Sequence, residues 1–187
     1  MEQEIQKIID VLKSGGIILY PTDTVWGIGC DATNAKAVKK IYKLKNREEY
    51  KSLIILLDTF EKLPNYVSNI PDTLFDFLKS VTSPVTIIYT GAKNLAKNVI
   101  SKDKTIAIRI IRDEFCKKMI EKFEKPIVST SANISGEETP LYFNKISPEI
   151  VKGVDYVVGL YHNRINEVKP STILKLLPNG EFKIIRS

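Results

Sequence analysis

The sequence predicts a single α/β domain built on a mixed β-sheet with flanking helices. Three observations predict it. Apolar runs of strand length alternate with segments of helical periodicity from one end of the chain to the other. The chain closes on a strand–turn–strand signal, Thr172 to Leu177, Pro178-Asn179-Gly180-Glu181, then Phe182 to Ile185, and the helices are uneven in length; both features argue against a uniform doubly wound array. No shift of composition marks a boundary within the 187 residues, so residues 1–187 read as one domain.

The elements follow in order. Ile5, Ile8, Ile9 and Leu12 recur at helical spacing, and Gly15-Gly16 stops that helix. Ile17 to Tyr20 reads as a buried strand ended by Pro21. Asn34 or Thr33 caps a second helix with Val38, Ile41 and Tyr42 on its apolar face. Leu53 to Leu57 is a second buried strand, and Phe60 to Tyr66 and Thr73 to Val81 are short helices. The β-branched runs Val85 to Tyr89 and Thr105 to Ile110 are strands. Glu114 to Phe123 is helical with Phe115, Met119 and Ile120 inward, and Pro126 to Ser129 is a short strand. Ser147-Pro148-Glu149-Ile150 has proline at the first helical position, and Val154 to Val158 is a strand before the closing hairpin.

Composition narrows the function classes. With 28 Lys plus Arg against 22 Asp plus Glu, the net charge is +6, a modest surplus compatible with nucleotide, RNA or plain solubility. No apolar run approaches the ~18 residues of a membrane span. The acidic start, Met1-Glu2-Gln3-Glu4, lacks the apolar core of a secretory signal, so a cytoplasmic protein without a membrane partner is expected. Cys30 and Cys116 are too few for a disulfide framework, and the single histidine, His162, excludes a two-histidine metal site.

Three polar constellations sit at the ends of predicted strands, where open α/β sheets tend to bind ligands. Tyr20-Pro21-Thr22-Asp23-Thr24, followed by Gly27, Gly29 and Asp31, offers hydroxyls and backbone amides; the competing reading is a loop satisfying its own backbone. Trp26 in that loop reads as packing. Lys45-Asn46-Arg47, with Lys51 four residues later, can converge on phosphate oxygens, or can simply be a basic helix C-terminus favoured by the macrodipole. Ser129-Thr130-Ser131-Ala132-Asn133, with Ser135-Gly136, suits phosphate or ribose oxygens, or is an ordinary polar turn. It lacks a Walker lysine, and there is no nucleophile elbow for a serine triad. Asp23 and Asp31 are magnesium-ligand candidates by residue type alone, so the metal ligands stay open.

These pieces occur in a telling order. Gly15 to Asp31 (GGIILYPTDTVWGIGCD), Lys45-x-Arg47-x-x-x-Lys51, Ser83-Pro84-Val85-Thr86, Ala107-Ile108-Arg109, Ser129-Thr130-Ser131-Ala132-Asn133-x-Ser135-Gly136 and Pro170-Ser171-Thr172-Ile173 together closely resemble the YrdC-like family of L-threonylcarbamoyladenylate synthases. Each motif is short, but six in order with family spacing cover nearly the whole chain. The resemblance implies a twisted mixed sheet around a deep, basic, concave cavity. It implies the reaction of L-threonine, bicarbonate and ATP to L-threonylcarbamoyl-AMP and pyrophosphate, with Mg2+ carried by ATP. Partner proteins would then transfer the threonylcarbamoyl group to adenosine 37 of tRNA.

By the same resemblance, Lys45, Arg47, Ser131 and Asn133 match the catalytic tetrad around the ATP phosphates, with Lys51, Ser129 and Arg186 as further ATP-binding positions. Thr22, Thr24, Arg109, Thr86 and Ser171 match positions around the threonine substrate. The family's Pro-Gly-Pro is Thr82-Ser83-Pro84 here, its Arg-x-Pro is Arg109-Ile110-Ile111, the stretch after Arg47 is Glu48-Glu49-Tyr50, and Ser52 replaces a proline, departures that touch loop rigidity. The length corresponds to the short form of the family. The alternatives are a YciO-like paralogue sharing the fold and a binder of double-stranded RNA or tRNA lacking the synthase role. The carbamoyltransferase use of the fold needs zinc-finger cysteines that this sequence lacks.

Overall fold

A computed structural model describes residues 1–49, 53–68, 70–163 and 171–187. Its helices are α1 (Glu2–Lys13), α2 (Ala35–Leu44), α3 (Asp72–Ser80), α4 (Glu114–Phe123) and α5 (Pro148–Gly153). Its strands are β1 (Ile18–Tyr20), β2 (Gly27–Gly29), β3 (Ile54–Leu57), β4 (Val85–Tyr89), β5 (Ile106–Ile110), β6 (Ile127–Ser131), β7 (Tyr156–Val157), β8 (Thr172–Leu176) and β9 (Phe182–Arg186). The described strands form one sheet in the order β7-β1-β2-β6-β3-β5-β4-β8-β9. It is mixed, as expected: β1 with β7, β3 with β5 and β4 with β8 run parallel, and the other neighbouring pairs are antiparallel.

Local chemistry places the helices. The Asn34 side chain caps α2, accepting from the backbone N–H of Lys36 and Ala37 at 3.0 and 3.2 Å. Asp113 and Ser147 cap α4 and α5 in the same way. Gly15, with φ +76°, takes the left-handed turn that ends α1. The apolar stripe of α1 (Ile5, Ile8, Ile9, Leu12) meets that of α4 (Phe115, Met119, Ile120, Phe123) over Ile18, Tyr20, Leu56 and Ile127 on one sheet face. The other face carries a larger cluster with Ile28, Ile55, Ile87, Ile108 and Leu174, covered by α2 and the following turns.

Four expectations are corrected. The segment Gly27–Gly29, read as loop, is a strand: Ile28 enters the core, and the glycines admit the Tyr20 ring. The strand read as ending at Ser129 runs to Ser131, because Thr130 and Ser131 pair with Ile28 and Gly27. Phe60–Asn65 is a 3₁₀ turn containing Pro64 rather than an α-helix. The strand read over Val154 to Val158 keeps only Tyr156 and Val157 in the sheet.

Gly29 is where β2 tolerates least change. A Cβ there would lie 2.7 Å from Tyr20 Cε1 and 2.7 Å from the Val128 carbonyl oxygen. Gly29→Ala is therefore expected to destabilise the protein by about 2 kcal/mol in denaturant titrations. Gly159→Ala, whose Cβ would meet only Glu4 Oε1 at 3.5 Å, serves as the near-neutral control.

The cover on the α1 and α4 face is incomplete. Those helices sit over the β1 end of the sheet. On β5, Ile106 and Ile108 enter the opposite core, so Ala107 and Arg109 face the side that the two helices leave open. Ile54, Ile88, Ile173 and Ile185 extend that uncovered floor across β3, β4, β8 and β9. The fold thus makes a basin from the half of the sheet that none of the described helices roofs.

Candidate functional site

The basin is a cavity of about 390 Å³, in the range of small-molecule sites. Arg47, Arg109 and Arg186 line it, with Thr22, Thr24, Ser129, Ser131 and Ser171. Eight of the residues singled out in the sequence therefore share one cavity. Lys45, Asn133 and Thr86 are buried and do not line it; Lys45 bonds to the carbonyls of Ser131 and Asn133, and Thr86 to the hydroxyl of Ser171. Lys51 lies outside the described residues, as does Pro170 of the last motif.

The Lys45-Asn46-Arg47 segment is shaped by a helix end. Arg47 N–H bonds to Tyr42 O at 2.9 Å and Asn46 N–H to Lys43 O at 3.1 Å, while Asn46 has φ +49°. That is a Schellman closure with asparagine in the left-handed position. It sends the two cations apart. Arg47 reaches the cavity, and Lys45, only 2% exposed, donates from Nζ to the backbone carbonyls of Ser131 and Asn133. Burial, helped by the nearby Arg47 charge, lowers the Lys45 pKa to about 8.

Those contacts lock α2 to the end of β6. Ser135 N–H returns to Lys45 O at 2.8 Å, and Asn133 Nδ2 donates to Ile134 O at 3.0 Å and Glu137 O at 2.7 Å. The polar run after β6 is thus a folded turn rather than a free loop. It ends near Thr139, which joins the cavity lining and was not picked out individually from the sequence.

Another part of the cavity lining is organised by Arg109, 6% exposed. Its Nη1 donates to Thr24 Oγ1 at 3.1 Å, and its Nη2 lies 3.3 Å from Asp23 Oδ1. Thr22 serves its own loop: its hydroxyl accepts from Thr24 N–H and Val25 N–H and donates to Val25 O at 2.7 Å. Thr86, fully buried, shares a hydrogen bond of 2.8 Å with Ser171, whose carbonyl accepts from Arg186 Nη2 at 2.9 Å. A register shift between β8 and β9 next to Ile173 lets both Ile185 and Arg186 border the cavity.

Carboxylates near the site are already engaged. Asp23 faces Arg109, and Asp31 accepts from Thr33 and pairs with Lys125 at 3.0 Å. Among the described residues no group of three His, Cys, Asp or Glu side chains gathers as a metal cage. Trp26 is fully buried, with its ring 4.9 Å from that of Phe143, which agrees with a packing role. Among the described residues no helix is long and apolar enough to cross a membrane.

Sequence reasoning missed the apolar floor. The signal was the strict alternation of β5, where Ala107 and Arg109 stand opposite three isoleucines. Chemically the cavity offers three guanidinium groups, several hydroxyls and an apolar floor. It can hold a polar ligand that carries anionic groups.

Comparison with known proteins agrees with this architecture. The profile of the Sua5_yciO_yrdC family, described as "Telomere recombination", matches residues 10–187. The chain is similar to a threonylcarbamoyl-AMP synthase of Pseudoalteromonas translucida, with 35% identity over 97% of this chain and 98% of that one. It is also similar to the threonylcarbamoyl-AMP synthase of an Enterobacter strain, with 30% identity over 96% and 94%. Among solved structures it is similar to P. abyssi Sua5 complexed with L-threonine, with a TM-score of 0.84 and 27% identity over 94% of this chain. The chain spans about half the length of that protein, 52%. The E. coli YciO structure shares the fold, with a TM-score of 0.85 at 23% identity.

Proposed function

The chain belongs to the Sua5/YciO/YrdC family, and on that premise we propose that it is an L-threonylcarbamoyladenylate synthase acting through residues 1–187 as one catalytic domain. It joins L-threonine, bicarbonate and ATP into L-threonylcarbamoyl-AMP and releases pyrophosphate, the first step of threonylcarbamoyladenosine formation on tRNA. The observation that carries this reading is a single cavity lined by Arg47, Arg109 and Arg186 together with Thr24, Ser129 and Ser131. That set of cations and hydroxyls suits an amino-acid carboxylate and a polyphosphate. Two relatives matched over nearly their whole length are threonylcarbamoyl-AMP synthases, which supports it.

In this mechanism the enzyme positions and neutralises. Arg109 takes the threonine carboxylate in its fork, with Thr24 fixing the guanidinium plane. The threonine amine, as the free base, attacks the carbon of bicarbonate and water leaves, giving a carbamate whose oxygen attacks the α-phosphorus as pyrophosphate leaves. Arg47, the Ser131 hydroxyl and the Lys45 ammonium behind them face the charge that builds on the phosphates. Magnesium supplies further charge neutralisation as the counterion of the triphosphate. The reaction needs no covalent intermediate with a protein side chain. The product passes to tRNA threonylcarbamoyl-transfer proteins.

The test is pyrophosphate release from ATP in the presence and absence of L-threonine and of bicarbonate. Release that requires both is the expected result. Release indifferent to threonine, or none, overturns the synthase reading and leaves the RNA-binding alternative, which salt-sensitive RNA affinity would reveal.

A further inference from the structure

Cys116 is a buried thiol that the proposed reaction does not use. It lies in the first turn of α4, and its Sγ donates to the backbone carbonyl of Pro21 at 3.1 Å. Pro21 is buried too, and a buried carbonyl needs a donor. It opens the loop that brings Thr22 and Thr24 into the cavity lining. Burial, followed by the nearby Asp113 and Asp23 carboxylates, pushes the thiol pKa well above its ordinary value, so the sulfur keeps the proton that it donates.

Arg109 and Cys116 grip this loop from one frame. Arg109 is on β5 and Cys116 on α4, and the connection between them is pinned. Ile111 N–H bonds to Leu57 O at 2.9 Å, and the Asp113 side chain accepts from Cys116 N–H at 3.0 Å. Arg109 meets the loop at Thr24 and Asp23, and Cys116 meets it at Pro21. Between these two holds the Thr22 hydroxyl ties the loop to itself, accepting from Thr24 N–H and Val25 N–H. Those bonds fix the shape of the loop. Its base is closed by the Tyr20–Gly27 pair of β1 and β2, and its lean over Arg109 is set by the frame.

We infer that Cys116 is a positioning residue for threonine: its bond to the Pro21 carbonyl seats the loop so that Thr24 and Asp23 orient the Arg109 fork. The inference rests on the synthase reading, in which that fork takes the threonine carboxylate. It also separates two roles of a buried cysteine. A small apolar filler is replaced well by valine, whereas a donor is replaced by serine.

Steady-state pyrophosphate release from Cys116→Ala, Cys116→Val and Cys116→Ser tests it. The alanine and valine variants are expected to raise the KM for L-threonine about tenfold, less than the cost of a full ångström's misplacement, and to keep kcat and the KM for ATP within about twofold of wild type. Cys116→Ser is expected to bring the KM for threonine back to within about threefold. Cys30→Ala removes the other buried thiol, in the core on the other sheet face, and should leave that KM unchanged. A second readout needs no substrate. The Thr24 and Val25 amides should exchange with solvent about tenfold faster in Cys116→Val and slowly again in Cys116→Ser. Wild-type KM and exchange in the valine variant, or no recovery in the serine variant, makes Cys116 a packing residue and overturns the inference. Absence of threonine-dependent release from the wild type, with the exchange pattern as expected, overturns the synthase reading and keeps the tether.

Discussion

Arg109→Ala is expected to lower kcat/KM for L-threonine by about 100- to 1,000-fold, the range for removing one member of a buried, hydrogen-bonded charge pair from a ligand. In the proposed reaction Arg109 is the cation that meets the substrate carboxylate, and its fork is already oriented by Thr24 at 3.1 Å and Asp23 at 3.3 Å. The same substitution leaves Asp23, 17% exposed, without that guanidinium, so a stability loss of about 3 kcal/mol is expected as well. The two effects separate in a double variant. Asp23→Asn removes the stranded charge, so Arg109→Ala with Asp23→Asn should regain most of the stability in denaturant titrations and none of the threonine activity. Arg109→Lys keeps a charge but cannot address two partners through one planar group, and should fall between. If Arg109→Ala retained the wild-type KM for threonine, the carboxylate assignment would be wrong. Recovery of activity in the double variant would make the residue a structural support only.

How far the sequence anticipates this site depends on the element. Helices α1, α2 and α4 are legible because each carries its burial signal on its own stripe. Strands β3, β4 and β5 are legible because both faces or one full face are apolar. Strand β2 is not, since two of its three residues are glycine and its place is set by the Tyr20 ring. Thr130 and Ser131 look like loop until β2 supplies their hydrogen-bonding partners. Within the site, local pattern could offer only two readings of Lys45, a helix-end cation or a phosphate ligand. The structure shows why local pattern stalls there. Lys45 does close α2, and its ammonium meets carbonyls 86 and 88 positions away, which no window of sequence contains. The apolar floor was hidden for a different reason. It exists because α1 and α4 stop short of β5, β4 and β8, a property of helix placement rather than of any residue in the floor.

Lys45 yields the second large effect, and its chemistry can be read in the pH dependence. The unfolded chain holds this proton up to the ordinary 10.5, whereas burial lowers the folded value to about 8. Between those values the unfolded state binds more protons, so this group makes stability rise with pH across the window, and near neutrality its buried charge costs about 3 kcal/mol. Lys45→Met removes that cost but strands the Ser131 and Asn133 carbonyls, at about 1–3 kcal/mol each. The opposing terms partly cancel, so stability should fall by no more than about 3 kcal/mol, and a denaturant titration of the variant separates loss of activity from unfolding. kcat/KM for ATP should nevertheless fall about 100- to 1,000-fold, since the remaining Arg47 and Ser131 lack the charge behind them. In the wild type, at saturating threonine, kcat/KM for ATP should decline above pH 8 as the ammonium is lost. The limb in kcat should lie higher, because a bound triphosphate favours the protonated form. Lys45→Arg holds its charge throughout, so the residual activity of that variant should lose the limb near pH 8. A limb that stays in place in Lys45→Arg belongs to another group, and full activity in Lys45→Met would confine Lys45 to joining α2 to β6.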